Sequence, residues 1–282
     1  MTMTSTLVLG ATGKTGRRVA ERLRARGLSV RHGSRSDEPP FDWENRNTWA
    51  TALRGVGAAY VTYYPDLAVP GASDTVAAFA DLAVKNGVRR LVVLSGRGEE
   101  GALLGERAVQ NSGADWTILR STWFSQNFNE GFFLDQVLKG EVALPVGSVR
   151  EPFIDADDIA DIAAAALTDE RHIGQLYELT GPRLLAFPEA VGEIARATGR
   201  DIRYEQVSPE EYSTMLREQQ VPAEFISLMD YLFTEVLDGR NAHLTDGVER
   251  ALGRPPRDFS EYARTTAASG IWSGVQRPHA VA

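Results

Sequence analysis

Three glycines spaced three residues apart stand near the start of the chain, in Gly10-Ala11-Thr12-Gly13-Lys14-Thr15-Gly16. Glycine at this spacing serves chemistry in which a backbone must approach an anion. Gly10 permits a tight turn, Gly13 lets the main chain approach a pair of phosphates, and Gly16 lets a helix lie close on a strand. The apolar run Thr6–Leu9 precedes the motif, and helical spacing follows it in Val19, Ala20 and Leu23. The motif therefore reads as a strand-to-helix turn whose helix N-terminus offers N–H donors and a positive dipole end to a pyrophosphate. The triplet Gly13-Lys14-Thr15 imitates an ATP-binding loop, but that loop needs a glycine five residues before Gly13, where Val8 stands. Dinucleotide binding is the expectation, and ATP is rejected.

A second anchor follows the second strand, in His32-Gly33-Ser34-Arg35-Ser36. An NAD site places an acid there for the ribose 2′-hydroxyl. Here the first acids are Asp37 and Glu38, after an arginine flanked by two serines. These are donors suited to a 2′-phosphate, so NADP(H) is favoured over NAD, with Lys14 as a further donor. A third candidate is Arg120-Ser121-Thr122-Trp123-Phe124-Ser125-Gln126-Asn127-Phe128. Trp123, Phe124 and Phe128 suit stacking on a flat aromatic substrate, and Gln126 and Asn127 suit orienting its oxygens. Phe132-Phe133 and Met229-Tyr231-Phe233 add apolar walls or, more simply, core. The acids Asp155, Asp157, Asp158 and Asp161 lack the glycine or histidine a metal loop would use, and they read as helix-capping charge. The histidines His32, His172, His243 and His279 have no ligand spacing, so no metal is expected. The basic run Arg250–Arg257 reads as a solvated turn.

The elements that must position these residues alternate. Strands read at 6–9, 28–32, 58–64, 90–95 and 116–119, with helices at 16–26, 49–53, 74–86 and 105–111 between them. The continuous apolar run Leu91-Val92-Val93-Leu94 suits a parallel strand covered on both faces. This alternation predicts an α/β, Rossmann-type doubly wound parallel sheet with a smaller C-terminal α/β lobe. Residues 1–150 form the dinucleotide-binding domain, whose core takes in roughly 151–180; residues 181–272 form the lobe, and 273–282 a frayed tail. Further elements read at 155–167, 176–179, 187–198, 202–207 and 225–237, and Ser208-Pro209-Glu210-Glu211 is a helix start with a capping box.

Net charge is −8, which lacks the footprint of a nucleic-acid binder, and the absence of cysteine excludes disulfides and thiolate chemistry. No apolar run approaches the roughly 20 residues of a membrane span, and the N-terminus has no signal-peptide pattern, so a cytoplasmic monomer or homodimer is expected.

Several segments resemble the NmrA-like group of atypical short-chain dehydrogenases/reductases. They are Leu7–Gly13, Phe41-Asp42-Trp43, Leu91–Ser95, Ser112–Arg120, Phe153–Ala160 and Tyr177–Pro182. The resemblance runs from about residue 5 to 272 and is greatest to members that reduce quinones, azo dyes or triphenylmethane dyes with NADPH. It implies that Gly10, Thr12, Gly13, Lys14, Thr15 and Gly16 hold the pyrophosphate and Arg35 the 2′-phosphate. It places Asp42 and Trp43 at the adenine and Tyr63, Tyr64 and Pro65 beside the nicotinamide half. Ser95, Gly96 and Arg97 fall on the same ligand edge. Reductases of the catalytic short-chain type carry Tyr-x-x-x-Lys on the helix after the strand at 90–95. Here Gly98 and Ala102 fall at those positions, and the stretch 98–111 contains neither residue. An electrophilic quinone does not need that dyad, because the demand is mainly orientation of donor and acceptor. The resemblance thus implies an NADPH-dependent reductase of a quinone or similar planar aromatic, in a cleft between domain and lobe. A setting in aromatic polyketide biosynthesis is one implication, where the hydroquinone is hydroxylated by oxygen. The alternative is a redox-sensing regulator that binds NADP(H) without turnover and acts through a protein partner.

Overall fold

The computed structural model describes residues 4–273. Its elements in chain order are β1 (Ser5–Leu9), α1 (Lys14–Ala25), β2 (Val30–Gly33), α2 (Trp49–Leu53), β3 (Val56–Val61), α3 (Ala72–Lys85), β4 (Arg90–Gly96), α4 (Glu100–Gln110) and β5 (Asp115–Ser121). There follow α5 (Leu134–Lys139), β6 (Glu141–Leu144), β7 (Arg150–Glu151), α6 (Ala156–Ala166), β8 (Gln175–Leu179), β9 (Leu185–Ala186), α7 (Phe187–Thr198) and β10 (Arg203–Gln206). The last are α8 (Pro209–Glu218), α9 (Ala223–Tyr231), α10 (Gly247–Leu252) and α11 (Phe259–Ala268).

The chain separates into two compact units. The first holds residues 4–122, Ala156–Thr180 and Leu244–Pro256. Six of its strands form one parallel sheet in the order β2-β1-β3-β4-β5-β8. Connections leave β1 toward β2 on one side and β3 on the other, so a crevice opens at the carboxyl ends of β1 and β3. Leu7, Val8, Leu9, Leu91, Val92 and Val93 are buried on both faces, which is why these strands read as unbroken apolar runs. Helix α1 lies so close to β1 that a Cβ at Gly16 would stand 2.2 Å from the Gly10 carbonyl oxygen and 2.9 Å from that of Leu9.

Charge ties α1 to α6. Arg22 donates through Nε to the Asp161 carboxylate and sets Nη2 2.6 Å from Asp157 Oδ1, while Arg18 Nε lies 3.4 Å from Asp157 Oδ2. Arg254 Nη2 stands 2.7 Å from both Asp158 Oδ1 and Asp161 Oδ2, and Asp158 is fully buried. Burial opposes ionisation of Asp157, but the hydrogen bonds and charges of Arg22 and Arg18 outweigh it and hold the carboxyl below its ordinary range. Two expectations change here. Asp157, Asp158 and Asp161 serve ion pairs rather than helix capping alone, and Arg254 is their partner rather than part of a solvated turn. Arg250 also places its guanidinium 5.3 Å from the Tyr177 ring.

The second unit holds Trp123–Asp155, Gly181–His243 and 257–273. Its core is aromatic, with Phe128, Phe133, Phe187 and Trp272 fully buried and Phe153 and Phe259 nearly so. Parallel β6 and β10 and antiparallel β7 and β9 form two small sheets. Arg183 joins Asp258 (2.7 Å) and Glu193 (2.6 Å). The compact units differ from the expected ranges in two segments. Residues 123–155 belong with the lobe, because Trp123, Phe128 and Phe153 pack on Phe187. Residues 244–256 return to the sheet, where Thr245 Oγ1 donates to the Glu178 carbonyl (2.6 Å) and a Cβ at Gly247 would lie 2.0 Å from that oxygen.

Smaller differences concern ends. The strand read to residue 64 stops at Val61, and α4 starts at Glu100, before the first strongly periodic residue. The helix read over 225–237 is α9 continued by a π-turn at Leu232–Val236, in which Leu237 N–H reaches the Leu232 carbonyl (3.1 Å). The capping box at Ser208 is present: its hydroxyl accepts from Glu211 N–H (3.2 Å), and Glu211 Oε2 accepts from Ser208 N–H (2.8 Å). Residues 274–282 of the expected tail lie outside the described residues. Among the described residues no helix is long and apolar enough to cross a membrane.

The Gly16 contact is backbone on backbone and cannot be relieved by a side-chain rotation. Gly16→Ala is expected to destabilise the protein by about 2–3 kcal/mol, the upper range for overpacking. Urea unfolding with an unchanged midpoint would contradict the close approach.

Candidate functional site

The carboxyl ends of β1 and β3 meet at the glycine turn. Gly10 adopts φ +61°, and a Cβ there would strike Thr62 Oγ1 at 2.6 Å. Gly13 N–H donates to the Gly10 carbonyl (2.8 Å), closing the turn. Gly13 itself is the N-cap of α1 in an extended conformation, and no side chain caps the helix. A helix end without a cap leaves N–H groups for another acceptor. Thr12 and Gly13 are exposed, Lys14 is half-buried, and Thr15 is buried. The three glycines thus differ. Gly16 is demanded by packing and Gly10 by conformation. A Cβ at Gly13 would have the Gly10 carbonyl oxygen as its nearest protein atom, at 3.2 Å, a close contact that a small shift relieves. What glycine spares at 13 lies mainly on its open side, as a backbone phosphate cradle requires.

The aromatic residues beside the crevice are fixed by their own hydrogen bonds. Trp43 Nε1 donates to the Thr62 carbonyl (3.0 Å), bringing the 41–43 segment to the end of β3. Its ring lies 5.0 Å from Tyr63 and 5.0 Å from Phe41. Asp42 accepts from Trp49 Nε1 at its carbonyl (2.7 Å) and from Glu44 N–H at Oδ1 (3.0 Å). Gly10, Thr62, Trp43 and Tyr63 are therefore one neighbourhood, while Tyr64 is 75% exposed. After β2, Arg35 is exposed and has no hydrogen-bond or ion-pair partner among the described residues. Ser34 is engaged instead: its hydroxyl donates to Asp37 Oδ2 (2.5 Å) and lies 3.1 Å from the Ser36 hydroxyl.

Ser95 is placed differently from the glycine turn. It stands in register with Arg120 on β5, which stands in register with Glu178 on β8. Its hydroxyl donates to Glu106 Oε1 (2.6 Å), which also accepts from Arg120 Nε (2.9 Å). Arg120 Nη1 reaches Glu178 Oε1 (3.0 Å), and Arg97 Nε lies 3.4 Å from Glu178 Oε2. Ser95 and Arg97 are thus buried in a charged row at the sheet's carboxyl edge. The residue that pattern reading misses is Glu99, buried just beyond β4. A lone glutamate before a helix looks like ordinary dipole charge, and only tertiary burial distinguishes it.

In the second unit the 3₁₀ turn Ser125–Phe128 carries the expected aromatic segment. Trp123, Phe124 and Asn127 are half-buried. Gln126 is buried and donates through Nε2 to Asp155 Oδ1 (2.8 Å). Phe128 is fully buried among Phe133, Phe153 and Phe259. Of the apolar residues named beside it, Phe133 is core and Phe132, 47% exposed, meets Phe225 at 4.7 Å.

The sequence profile of a family described as NAD(P)H-binding matches residues 10–170, more than half of the chain. The chain belongs to this NAD(P)H-binding family. Membership agrees with the resemblance to atypical short-chain reductases and places the chain among NAD(P)H-dependent oxidoreductases. A relative, the NAD(P)H azoreductase of Xenophilus azovorans, is 31% identical, over 89% of this chain and 86% of its own. Prestalk A differentiation protein A of Dictyostelium discoideum is 29% identical over 98% of this chain and 97% of its own. The NADPH complex of an Escherichia coli NADPH-dependent quinone oxidoreductase has the same fold, with TM-score 0.73 and 19% identity over 93% of this chain and 99% of that one.

Two substitutions separate cofactor contacts from scaffold. Gly13→Val is expected to keep a near-native melting temperature and lose dinucleotide binding in calorimetry; unchanged affinity would remove the turn from the cofactor. Arg35→Glu is expected to weaken NADPH by about 10-fold or more, the worth of one charge-assisted contact, and to spare NADH. Equal losses for both would remove Arg35 from the 2′-phosphate.

Proposed function

We propose that this protein is an NADPH-dependent reductase of a quinone or a similar planar aromatic acceptor. The observation that carries the reading is the uncapped N-terminus of α1 behind an open Gly13, with Arg35 unpartnered at the end of β2. Bound NADPH supplies a hydride from its nicotinamide ring. The N–H groups at Gly13 and the first turn of α1 receive the pyrophosphate, with Thr12, Lys14 and Thr15 beside them. Arg35 takes the 2′-phosphate, with Asp37, held by Ser34, flanking that contact. Asp42 and Trp43 border the adenine, and Tyr63 and Tyr64 the nicotinamide half. Ser95 braces that edge through Glu106. Trp123, Phe124 and Asn127 offer partly open faces to the acceptor, while Gln126 and Phe128 hold that turn in place.

The acceptor class rests on chemistry and on relatives. The helix after β4 has no tyrosine and no lysine, so a ketone would lack its usual proton donor. Quinones and azo dyes accept hydride more readily, and the names of the azoreductase relative and the quinone oxidoreductase neighbour point the same way. In air a hydroquinone product reduces oxygen and can be hydroxylated, which suits assembly of aromatic polyketides.

The test is NADPH consumption without oxygen, with and without a panel of naphthoquinones and anthraquinones, repeated in air. Turnover that requires quinone is the expected result, and a hydroxylated product in air would extend it. Tight NADPH binding with no turnover on any acceptor would sink the reductase reading and support a redox sensor that acts through a protein partner.

A further inference from the structure

We propose that Glu99, at the carboxyl end of β4 beside Asp66, keeps its proton and delivers it to the acceptor that has taken up hydride, a role that rests on the reductase reading above. Glu99 lies between β4 and α4, next to Gly98, which stands where the missing tyrosine would be. Its side chain folds back over the strand end: a Cβ at Gly96 would lie 2.1 Å from Glu99 Cδ and Oε1. Glu99 is 8% exposed, and its Oε2 is closed off from solvent without a hydrogen-bond partner. Asp66 follows Tyr63-Tyr64-Pro65, and its charge acts on the Glu99 carboxyl. Asp66 is only half-buried, which gives the pair a wet side, and its Oδ1 also accepts from Ala68 N–H (2.8 Å). The two segments are pinned together, since a Cβ at Gly101 in the first turn of α4 would lie 2.5 Å from the Ala68 carbonyl oxygen.

An ionised carboxylate only accepts, so the buried Oε2, with no donor to receive from, favours the protonated acid. The charged groups acting on Glu99 are Asp66, from the loop after β3, and Glu106, from α4. Both are acidic, and the nearby arginines are engaged elsewhere, Arg120 with Glu106 and Glu178 and Arg97 with Glu178. Burial first, and then the charge of Asp66, push the Glu99 carboxyl well above the ordinary range.

The step balances as a two-electron reduction. The acceptor gains two electrons and one hydrogen as hydride from bound NADPH. The anion so formed takes a proton from Glu99: its carboxyl O–H bond breaks and one bond to hydrogen forms on the acceptor. Glu99 is then left ionised and is reprotonated from water.

Glu99→Gln removes the acidic proton and keeps the shape. With an acceptor that the wild-type protein reduces, turnover at pH 7 is expected to fall by about 100-fold, the low end for a general acid. NADPH affinity should be unchanged. The infrared band of a protonated carboxylic acid, present in the wild-type protein at neutral pH, should vanish. Stability gives an independent readout. A folded-state pKa above the unfolded value contributes stability at low pH that is lost as pH rises through the folded value, so the wild-type melting temperature should fall with pH more steeply than that of the variant. Should Glu99→Gln fail to fold, Asp66→Asn removes the neighbouring charge and is expected to move the alkaline fall in rate to lower pH. Wild-type turnover and pH profile in Glu99→Gln, an unmoved alkaline limb in Asp66→Asn, or no carboxylic-acid band in the wild-type protein would each overturn the proposal. Failure of the wild-type protein to oxidise NADPH with any acceptor would overturn the reductase reading and the delivery step with it, a result distinguishable from failure of the variant alone.

Discussion

The first unit depends on one contact between main chains, the approach of α1 to the end of β1. With no Cβ at Gly16, the helix sits directly over the carbonyls of Leu9 and Gly10. That position aims the helix axis at the crevice beside β3 and leaves its N-terminus uncapped there. Moving the helix outward by the width of a methyl group would displace Gly13 from the turn and the dipole end from the crevice. The conformation of Gly10 and its fit against Thr62 complete the same constraint from the other strand. Thr62 in turn receives Trp43, so aromatic packing around Phe41, Trp49 and Phe79 is registered to the turn through one indole hydrogen bond.

Buried charge is handled in two contrasting ways. Asp157, Asp158 and Asp161 on α6 are matched by Arg18, Arg22 and Arg254. Glu106 and Glu178 are matched by Arg120 and Arg97. A charge removed from water needs such a partner, because desolvation otherwise exceeds the Coulombic gain. Glu99 is buried near Glu106, and the charges acting on it are acids. The same low-dielectric edge therefore stabilises ionised pairs in one place and a neutral acid in another.

The glycine turn, the six sheet strands and most helices are legible in the sequence because their signals are local. Periodicity marks the strands, and Gly10, Gly13 and Gly16 act within seven residues. The capping box at Ser208 is legible for the same reason. What escapes depends on residues far apart in the chain. Arg254 looks solvated until α6 presents Asp158 and Asp161 to it. The return of 244–256 to β8 has no local mark beyond Gly247, whose need for a bare backbone appears only against Glu178. Ser34 looks free to bind phosphate, yet its hydroxyl turns inward to Asp37. Phe128 and Phe124 have the same residue type, and only packing separates the fully buried ring from the half-buried one.

The threading of the first unit has a consequence for how the protein is made. Its sheet is not complete until β8 has been synthesised, and β8 is not covered until α10 follows, near the end of the chain. On the ribosome the N-terminal strands emerge first, with their glycine turn already encoded, but the outer edge of the sheet stays open during most of translation. The first unit therefore closes only after two stretches of the second, 123–155 and 181–243, have been made, and a single cut anywhere from 123 to 243 divides the first unit between two pieces.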